Sequence, residues 1–335
     1  MRLTIAIPTV DRAYCIQRAV ESALAQPVGD LEVLVSNNAS TDETRSLLDA
    51  LCSQRSDPRL RVVHHEQRMP ITAHAGFLIG EARGAMFLGL SDDDWIEPAF
   101  VPRVLRLVDS YTKLSFVYTR CRVHVGDLSL ASPAGPELEE PLDFLEAYFA
   151  GWRQVYWCGC VTRTADLRRI GTLPSDRLIG DMYYWTKLAL EGPVGFVNEF
   201  LAHYTYLAGN ASIGIPARQW AKETAILASE VLQGATKLRA SAERRARIHE
   251  HTAAYVARST ANQLALNAQC GMGKWALLSE CMACARYLTG DLTALLRIGL
   301  ALLLPPAAIR WLTRVFTARL ASRPQTDAPR LVTKR

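Results

Sequence analysis

The chain has 335 residues but no apolar run long enough to cross a membrane. A spanning helix needs about 20 mainly apolar residues. The apolar stretch near the C-terminus, residues 298–309, is shorter and contains Pro305 and Pro306. The run before Pro8 is too short for a signal peptide and predicts a first β-strand. The sequence predicts neither a membrane span nor export, and we expect a cytoplasmic protein.

The eight cysteines form neither a disulfide framework nor a zinc site. They are spread irregularly, mostly within apolar segments. Cys158 lies close to Cys160, and Cys281 close to Cys284, but no further pair follows at zinc-finger spacing. This distribution is typical of buried, reduced thiols.

Acidic residues are scarce near the C-terminus. The net charge is +5. From residue 310 onwards Asp327 is the single acidic residue, and the basic residues are Arg310, Arg314, Arg319, Arg323, Arg330, Lys334 and Arg335. An apolar stretch followed by such a segment predicts an in-plane anchor on an anionic membrane surface. A buried helix pair with a disordered basic tail is the alternative. We expect no nucleic-acid partner, because the basic residues form no aromatic-lined groove.

Strand-like and helix-like segments alternate in the first part of the chain. Apolar runs predict strands at residues 3–7, 32–36, 60–64, 85–90 and 114–121. Apolar residues three and four apart predict helices at residues 12–26, 41–53, 72–82 and 99–111. This alternation predicts an α/β fold with a doubly wound, mostly parallel sheet. In such sheets ligands bind beyond the carboxyl ends of the strands.

The rest of the chain has a different pattern. Residues 126–141 carry turn signals throughout and predict a loop, which would suit a lid. Residues 217–290 are helical in pattern. We therefore predict an α/β domain at residues 1–215, a helical extension at 216–290 and an amphipathic basic segment at 291–335 that anchors the protein to a membrane surface.

Three consecutive carboxylates, Asp92, Asp93 and Asp94, follow the fourth predicted strand. Neighbouring negative charges repel each other unless a cation or hydrogen-bond donors hold them. Mg²⁺ and Mn²⁺ prefer oxygen ligands, and Mg²⁺ is commonly bound by one or two carboxylates plus substrate phosphates. The cluster therefore predicts a divalent metal site for a diphosphate-bearing substrate. A solvated acidic turn before the helix near Pro98 is the alternative.

Together, several segments resemble the family-2 nucleotide-sugar glycosyltransferases of GT-A fold, and the resemblance covers roughly residues 1–210. The segments that carry it are residues 5–12 (IAIPTVDR), 22–26 (SALAQ), 32–42 (EVLVSNNASTD), 92–98 (DDDWIEP) and 179–185 (IGDMYYW). The resemblance implies a GT-A-type sheet followed by the helical extension. It also implies an inverting enzyme of cell-surface polysaccharide synthesis. The Gln-x-x-Arg-Trp motif of processive synthases is absent, which favours transfer of one sugar.

The resemblance also implies a binding site for the nucleoside-diphosphate sugar donor. Pro8, Thr9 and Arg12 would shape the pocket for the nucleotide. Asn38 stands where many members have an aspartate that reads the base, and an amide differs from a carboxylate in that it can donate a hydrogen bond. Asp92 would face the ribose.

This sequence also has carboxylates at the positions where the family has its metal ligand and its catalytic base. Asp93 corresponds to the residue that binds Mg²⁺ or Mn²⁺, and Asp94 would support either the metal or the turn itself. Asp181 corresponds to the catalytic base; its alternative is a helix N-cap.

The resemblance thus predicts metal-dependent, inverting transfer of one sugar to a glycan or lipid-linked acceptor. The C-terminal segment 298–335 predicts that this transfer takes place on the inner face of the cytoplasmic membrane. A sugar nucleotidyltransferase is a weaker alternative, because it would need a Gly-rich loop after the first strand, whereas residues 8–12 contain no glycine. A non-catalytic binding or scaffold protein at the membrane is the other alternative.

Overall fold

The computed structural model describes residues 1–171, 179–206 and 215–288, together with residue 299. The predicted membrane anchor at 291–335 therefore lies outside the described residues, apart from residue 299.

The described residues contain a ten-stranded mixed sheet. Its strands are β1 (Leu3–Thr9), β2 (Leu31–Asn37), β3 (Leu60–His64), β4 (Met86–Gly89), β5 (Trp95–Ile96), β6 (Phe116–Val125), β7 (Leu128–Ala131), β8 (Leu138–Glu139), β9 (Cys160–Arg163) and β10 (Val194–Thr205). The order is β3-β2-β1-β4-β9-β6-β10-β5, with β7 beside β6 and β8 beside β10.

The first four strands in this order run parallel, so their carboxyl ends lie at one edge. β9 pairs antiparallel with β4 and β6, and β10 is parallel to β6. β1 and β2 are buried along almost their whole length, as expected for central parallel strands covered on both faces. The predicted α/β fold with a mostly parallel sheet is confirmed.

Helices connect the strands and continue beyond the sheet. They are α1 (Ile16–Leu24), α2 (Thr44–Arg55), α3 (Ile71–Glu81), α4 (Phe100–Ser110), α5 (Pro141–Ala150), α6 (Thr164–Ile170), α7 (Gly180–Ala189), α8 (Ala217–Lys237), α9 (Ala242–Gln269) and α10 (Lys274–Cys284), with 3₁₀ turns at Trp157–Gly159 and Ala285–Tyr287. α1 and α4 bury one apolar face each in the main core. The predicted helical region after residue 217 is confirmed.

The loop predicted at residues 126–141 contains two elements that the sequence did not predict. Two short strands, β7 and β8, lie within it and pair with β6 and β10. Strands of two to four residues have too few side chains to show an alternating pattern, so their partners decide their structure.

The chain divides into two compact units. The first comprises Met1–His124, Ala134–Pro141 and Val155–Thr205. The second comprises Val125–Pro133, Leu142–Gln154 and the described residues from Tyr206 onwards. In the second unit small side chains of α8 and α9, among them Ala217, Ala221 and Ala261, pack in one core with Leu277 of α10.

All eight cysteines are free thiols, in agreement with the prediction. No helix in the described part of the chain is long and apolar enough to cross a membrane.

Candidate functional site

The turn after β1 is hydrogen-bonded to the turn after β2. Asp11, whose φ of 53° lies in the left-handed region, receives the N–H of Thr41 at 2.7 Å on Oδ1. Its own N–H donates to the Ser40 hydroxyl at 2.9 Å, and Arg68 binds its other carboxylate oxygen. The Thr41 N–H is the main reason why the pKa of Asp11 is lowered. These bonds fix the position of Thr9 and Arg12 on either side.

The acidic turn lies between β4 and β5, next to the turn after β1. Asp92 and Asp93 are buried. Burial and the neighbouring charge of Asp93 raise the pKa of Asp92 to about 6, although Arg12 opposes this shift. The Arg12 Nε lies 3.9 Å from Oδ1 of Asp92. Burial also raises the pKa of Asp93, against the charges of Arg12 and Arg18. The structure thus brings together Arg12 and Asp92, which are predicted to bind the sugar donor, and Asp93, which is predicted to bind the metal.

The hydroxyl of Thr9 belongs to the same group. It is buried, and among the described residues it has no hydrogen-bond partner of normal geometry. It lies near enough to Asp92 to limit the rise of that pKa. Pro8 is half-buried beside it and pairs in register with Ser36 of β2. A buried polar atom without a partner is unfavourable unless a ligand or water satisfies it.

Asp94 lies in a different environment from its neighbours. It is completely buried, and its Oδ1 accepts the N–H of Thr205, at the end of β10, at 2.7 Å. Burial is the main reason why its pKa is raised well above the usual value, and the Cys158 thiol opposes the shift. Asp94 thus fastens the acidic turn to β10, which agrees with its predicted support of the turn. Its assignment to the metal stays a prediction.

A stacked group of side chains supports Asp93 from the other side. Arg18 donates to the backbone oxygen of Asp93 at 2.9 Å, and its guanidinium lies 3.7 Å from the centre of the Trp95 ring. The ring of His203 stacks on Trp95 at 4.5 Å, and its Nε2 lies 2.8 Å from Oε1 of Glu97. Sequence reasoning missed Arg18 and His203, since neither belongs to a recognisable motif.

Asn38 uses its side-chain amide within the chain. Its Nδ2 donates to the backbone oxygen of Met69 at 2.9 Å, and its Oδ1 accepts the Met69 N–H at 2.8 Å. The residue is buried. In this arrangement Asn38 holds the chain after β3 against the end of β2, and its predicted contact with the base stays a prediction.

Asp181 lies in the first turn of α7 and is solvent-accessible. Ile179, not Asp181, is the N-cap residue of this helix. The surrounding protein nevertheless removes part of the hydration of the carboxyl group and raises its pKa, while the Met182 N–H, 2.7 Å from Oδ1, opposes the shift. Its charge also raises the pKa of the Cys160 thiol on β9. An accessible carboxyl group with reduced hydration suits a proton acceptor in an open cleft.

Trp157 connects the end of β4 with the helix that carries Asp181. A Cβ atom on Gly89, the last residue of β4, would lie 1.7 Å from the Trp157 Nε1, so the indole packs directly on the glycine backbone. The Trp157 ring is 6.1 Å from that of Tyr184 on α7. It is partly exposed. Trp157 thus contacts both the strand that precedes the acidic turn and the helix that carries the predicted base.

The residues present fit a divalent ion that is shared with a substrate. No group of three or more His, Cys, Asp or Glu side chains that could hold a metal occurs in the described ranges. Asp92 and Asp93 offer two carboxylates, and burial disfavours their charged forms. A cation would relieve this cost, and substrate phosphates can complete the coordination of Mg²⁺.

The sequence profile described as Glycosyl transferase family 2 matches residues 4–153. This region belongs to glycosyl transferase family 2. The family region includes β1, β2 and the acidic turn, whereas Asp181 lies beyond it.

Curated relatives match only part of this chain. Chondroitin synthase of Pasteurella multocida is 34% identical over 120 residues, which are 36% of this chain and 12% of the synthase. The GalNAc(5)-diNAcBac-PP-undecaprenol beta-1,3-glucosyltransferase of Campylobacter jejuni is 26% identical over 45% of this chain and 49% of that protein. The chain thus spans less than half the length of these relatives.

Two solved structures share the fold over most of the chain. TarS 1–349 of S. aureus in complex with UDP-GlcNAc matches with a TM-score of 0.59 at 13% identity, over 86% of this chain and 89% of that one. The mannosyltransferase PcManGT of Pyrobaculum calidifontis, in complex with GDP-Man and Mn²⁺, matches with a TM-score of 0.57 at 19% identity, over 96% and 85%. The predicted GT-A fold is confirmed.

Proposed function

We propose that the protein transfers one glycosyl unit from a nucleoside-diphosphate sugar to an acceptor hydroxyl, with inversion at the anomeric carbon. One observation carries the proposal. Thr9, Arg12, Asp92 and Asp93 meet beyond the carboxyl ends of β1 and β4, and Trp157 packs on the end of β4 and next to Tyr184 of the helix that carries the accessible Asp181. This edge is where ligands bind in open α/β sheets.

The donor binds with its diphosphate near the acidic turn. The Thr9 hydroxyl, which lies beside Asp92, would contact the nucleotide, and Arg12 supplies a positive charge next to Asp92. Asp92 and Asp93 would hold Mg²⁺ or Mn²⁺, which when bound neutralises negative charge on the leaving diphosphate. Arg18 and Asp94 position the turn through the Asp93 backbone oxygen and the Thr205 N–H, respectively.

Asp181 acts as the general base. It removes the proton of the acceptor hydroxyl while that oxygen bonds to the anomeric carbon, and the bond from that carbon to the diphosphate oxygen breaks. The raised pKa of Asp181, caused by the partial loss of hydration of its carboxyl group, makes the carboxylate a stronger proton acceptor than a fully hydrated aspartate. The partly exposed Trp157 ring offers an apolar face for a sugar beside the base.

We further propose that the acceptor is a glycan or a lipid-linked glycan of cell-surface polysaccharide synthesis. The names of the C. jejuni glucosyltransferase and of a succinoglycan biosynthesis protein of Rhizobium meliloti, 32% identical over 108 residues, support this class of acceptor. The basic C-terminal sequence supports a place on the inner face of the cytoplasmic membrane.

The test is nucleotide release from UDP-, GDP- and dTDP-sugars with Mg²⁺ or Mn²⁺. We expect release from one donor, dependent on the metal. Asp181→Asn should lower the rate by about 10²–10⁴-fold, because it removes the general base. Asp93→Ala should lower it at least about a hundredfold, because it removes a metal ligand.

Asp109→Asn is the matched control, since this exposed carboxylate contacts Arg2, which lies at the opposite end of β1 from Thr9. Asp109→Asn should release nucleotide at the same rate as the wild type. If the protein binds nucleotide but releases none from any donor, even with lipid-linked acceptors present, the non-catalytic binding protein would instead be favoured.

A further inference from the structure

The helix α10 exposes an apolar face. Trp275 is 85% exposed, Leu278 38% and Met282 72%. Their spacing of three and seven residues places them on one side of the helix. Ala276 and Ala283 are exposed next to them. Large apolar side chains rarely remain together in water unless they contact a partner.

The opposite face of α10 is already packed. Leu277 and Cys284 are buried in a core shared with α8 and α9. α10 is thus apolar on two sides, although only one of them is covered by the described residues. A helix that is apolar all round is normally buried on all sides.

Charge indicates what covers the exposed face. Glu280 is the one acidic residue of α10; it is buried, and Arg218 lies 3.3 Å from it. The exposed charged residues of this part, Lys274 and Arg286, are both basic. In the sequence that follows, residues 292–326 contain five arginines and no acidic residue. Trp and Leu beside basic residues are typical of a helix that lies on an anionic bilayer.

We propose that the face of α10 formed by Trp275, Leu278 and Met282 is a membrane-contact surface that enters the headgroup region of a bilayer containing anionic lipid. This proposal names a surface by which the protein would contact the membrane partner of the proposed function. It does not depend on turnover, because vesicle binding is measured without donor or acceptor.

The test uses flotation of the full chain with vesicles of phosphatidylcholine, with or without phosphatidylglycerol. We expect binding that needs phosphatidylglycerol and weakens with salt. Trp275→Ala should weaken binding about tenfold, which is the effect of losing part of one buried aromatic side chain. Trp275→Phe should retain most of the affinity, and brominated lipid should quench Trp emission less in this variant than in the wild type.

Leu238→Ala is the matched control, because Leu238 is an exposed apolar residue of the same unit outside α10. It should bind vesicles like the wild type. Equal binding by Trp275→Ala, with the same unfolding midpoint, would overturn the proposal. A wild type that sediments as a dimer without vesicles, while Trp275→Ala sediments as a monomer, would also overturn it, because a second copy would then cover the face.

Discussion

Ser36, near the end of β2, contacts two histidine side chains. The Nε2 of His74 lies 2.8 Å from its hydroxyl oxygen, and the Nε2 of His65 lies 2.9 Å from it. A hydroxyl can donate one proton, so one ring nitrogen accepts it and the other donates to the oxygen. Burial, followed by the effect of His65, lowers the pKa of His74 to about 4.

This shift predicts a loss of stability in acid. The unfolded chain takes up a proton on His74 near pH 6.5, whereas the folded protein does so only near pH 4. The free energy of unfolding should therefore fall as the pH decreases through this range, by up to about 3 kcal/mol from this group. His74→Asn should remove this part of the slope. Denaturant titrations from pH 7 to about pH 4 measure it.

The stability of the wild type must be compared with that of His74→Asn, because Asp92 also makes the stability of the wild type depend on pH. Its raised pKa, about 6, stabilises the fold towards acid, in the opposite direction to His74. That contribution is common to the wild type and His74→Asn and cancels in the difference. Parallel stability curves for the two proteins would contradict the role given to His74.

At the site, the sequence could predict which carboxylates lie at the strand ends, because Asp92 and Asp93 follow an apolar run directly. It could not predict that Asn38 bonds to Met69 or that Arg18 supports Asp93. Those contacts join residues 31 and 75 positions apart, and only the completed sheet brings them together.

At the scale of elements, buried ion pairs join two helices of the second unit. Glu146 of α5 is 3% exposed, and its Oε1 lies 2.8 Å from the Arg247 Nε on α9. Arg247 also contacts Glu243, which is 86% exposed, at 3.2 Å within α9. One arginine therefore has a buried and an exposed partner, which allows a direct comparison.

We expect Glu146→Ala to lower the free energy of unfolding by about 2 kcal/mol, because it removes a buried carboxylate that binds the partly exposed Arg244 and Arg247. Glu243→Ala should cost less than about 0.5 kcal/mol, as for other exposed helical pairs. Urea unfolding monitored by circular dichroism measures both. Similar losses for the two variants would show that burial of Glu146 contributes nothing.

The elements themselves were largely predictable. The five strands and four helices predicted before residue 122 are present, with ends that differ by a few residues. Their patterns are strong because each element buries one or two faces in the main core. β7 and β8 were missed because they are short, and α5 because it is buried almost all round and shows no polar face.

At the scale of the whole molecule, ligand binding should couple to stability. A ligand that binds only the folded state stabilises it by about 2.7 kcal/mol at 100 times its dissociation constant. We expect Mn²⁺ with UDP or GDP to raise the unfolding temperature, and neither component alone to do so as strongly. Asp93→Asn should abolish this increase.

The free Asp93→Asn protein provides the control. Burial raises the pKa of Asp93, so its charge is unfavourable in the folded protein without a ligand. The neutral amide should therefore leave the free protein at least as stable as the wild type. A variant that is less stable without ligand, yet gains as much from Mn²⁺ and nucleotide, would contradict the assignment of Asp93 to the metal.

The bond between Asp94 and Thr205 also has a consequence for synthesis on the ribosome. The two residues are 111 positions apart. At about 5–20 residues per second, Thr205 is made roughly 6–22 s after the acidic turn. During that interval the three carboxylates lack β10 and the N–H that fastens them. The donor site is therefore among the last parts of the first unit to form, and a chain released early carries the family sequence without a finished site.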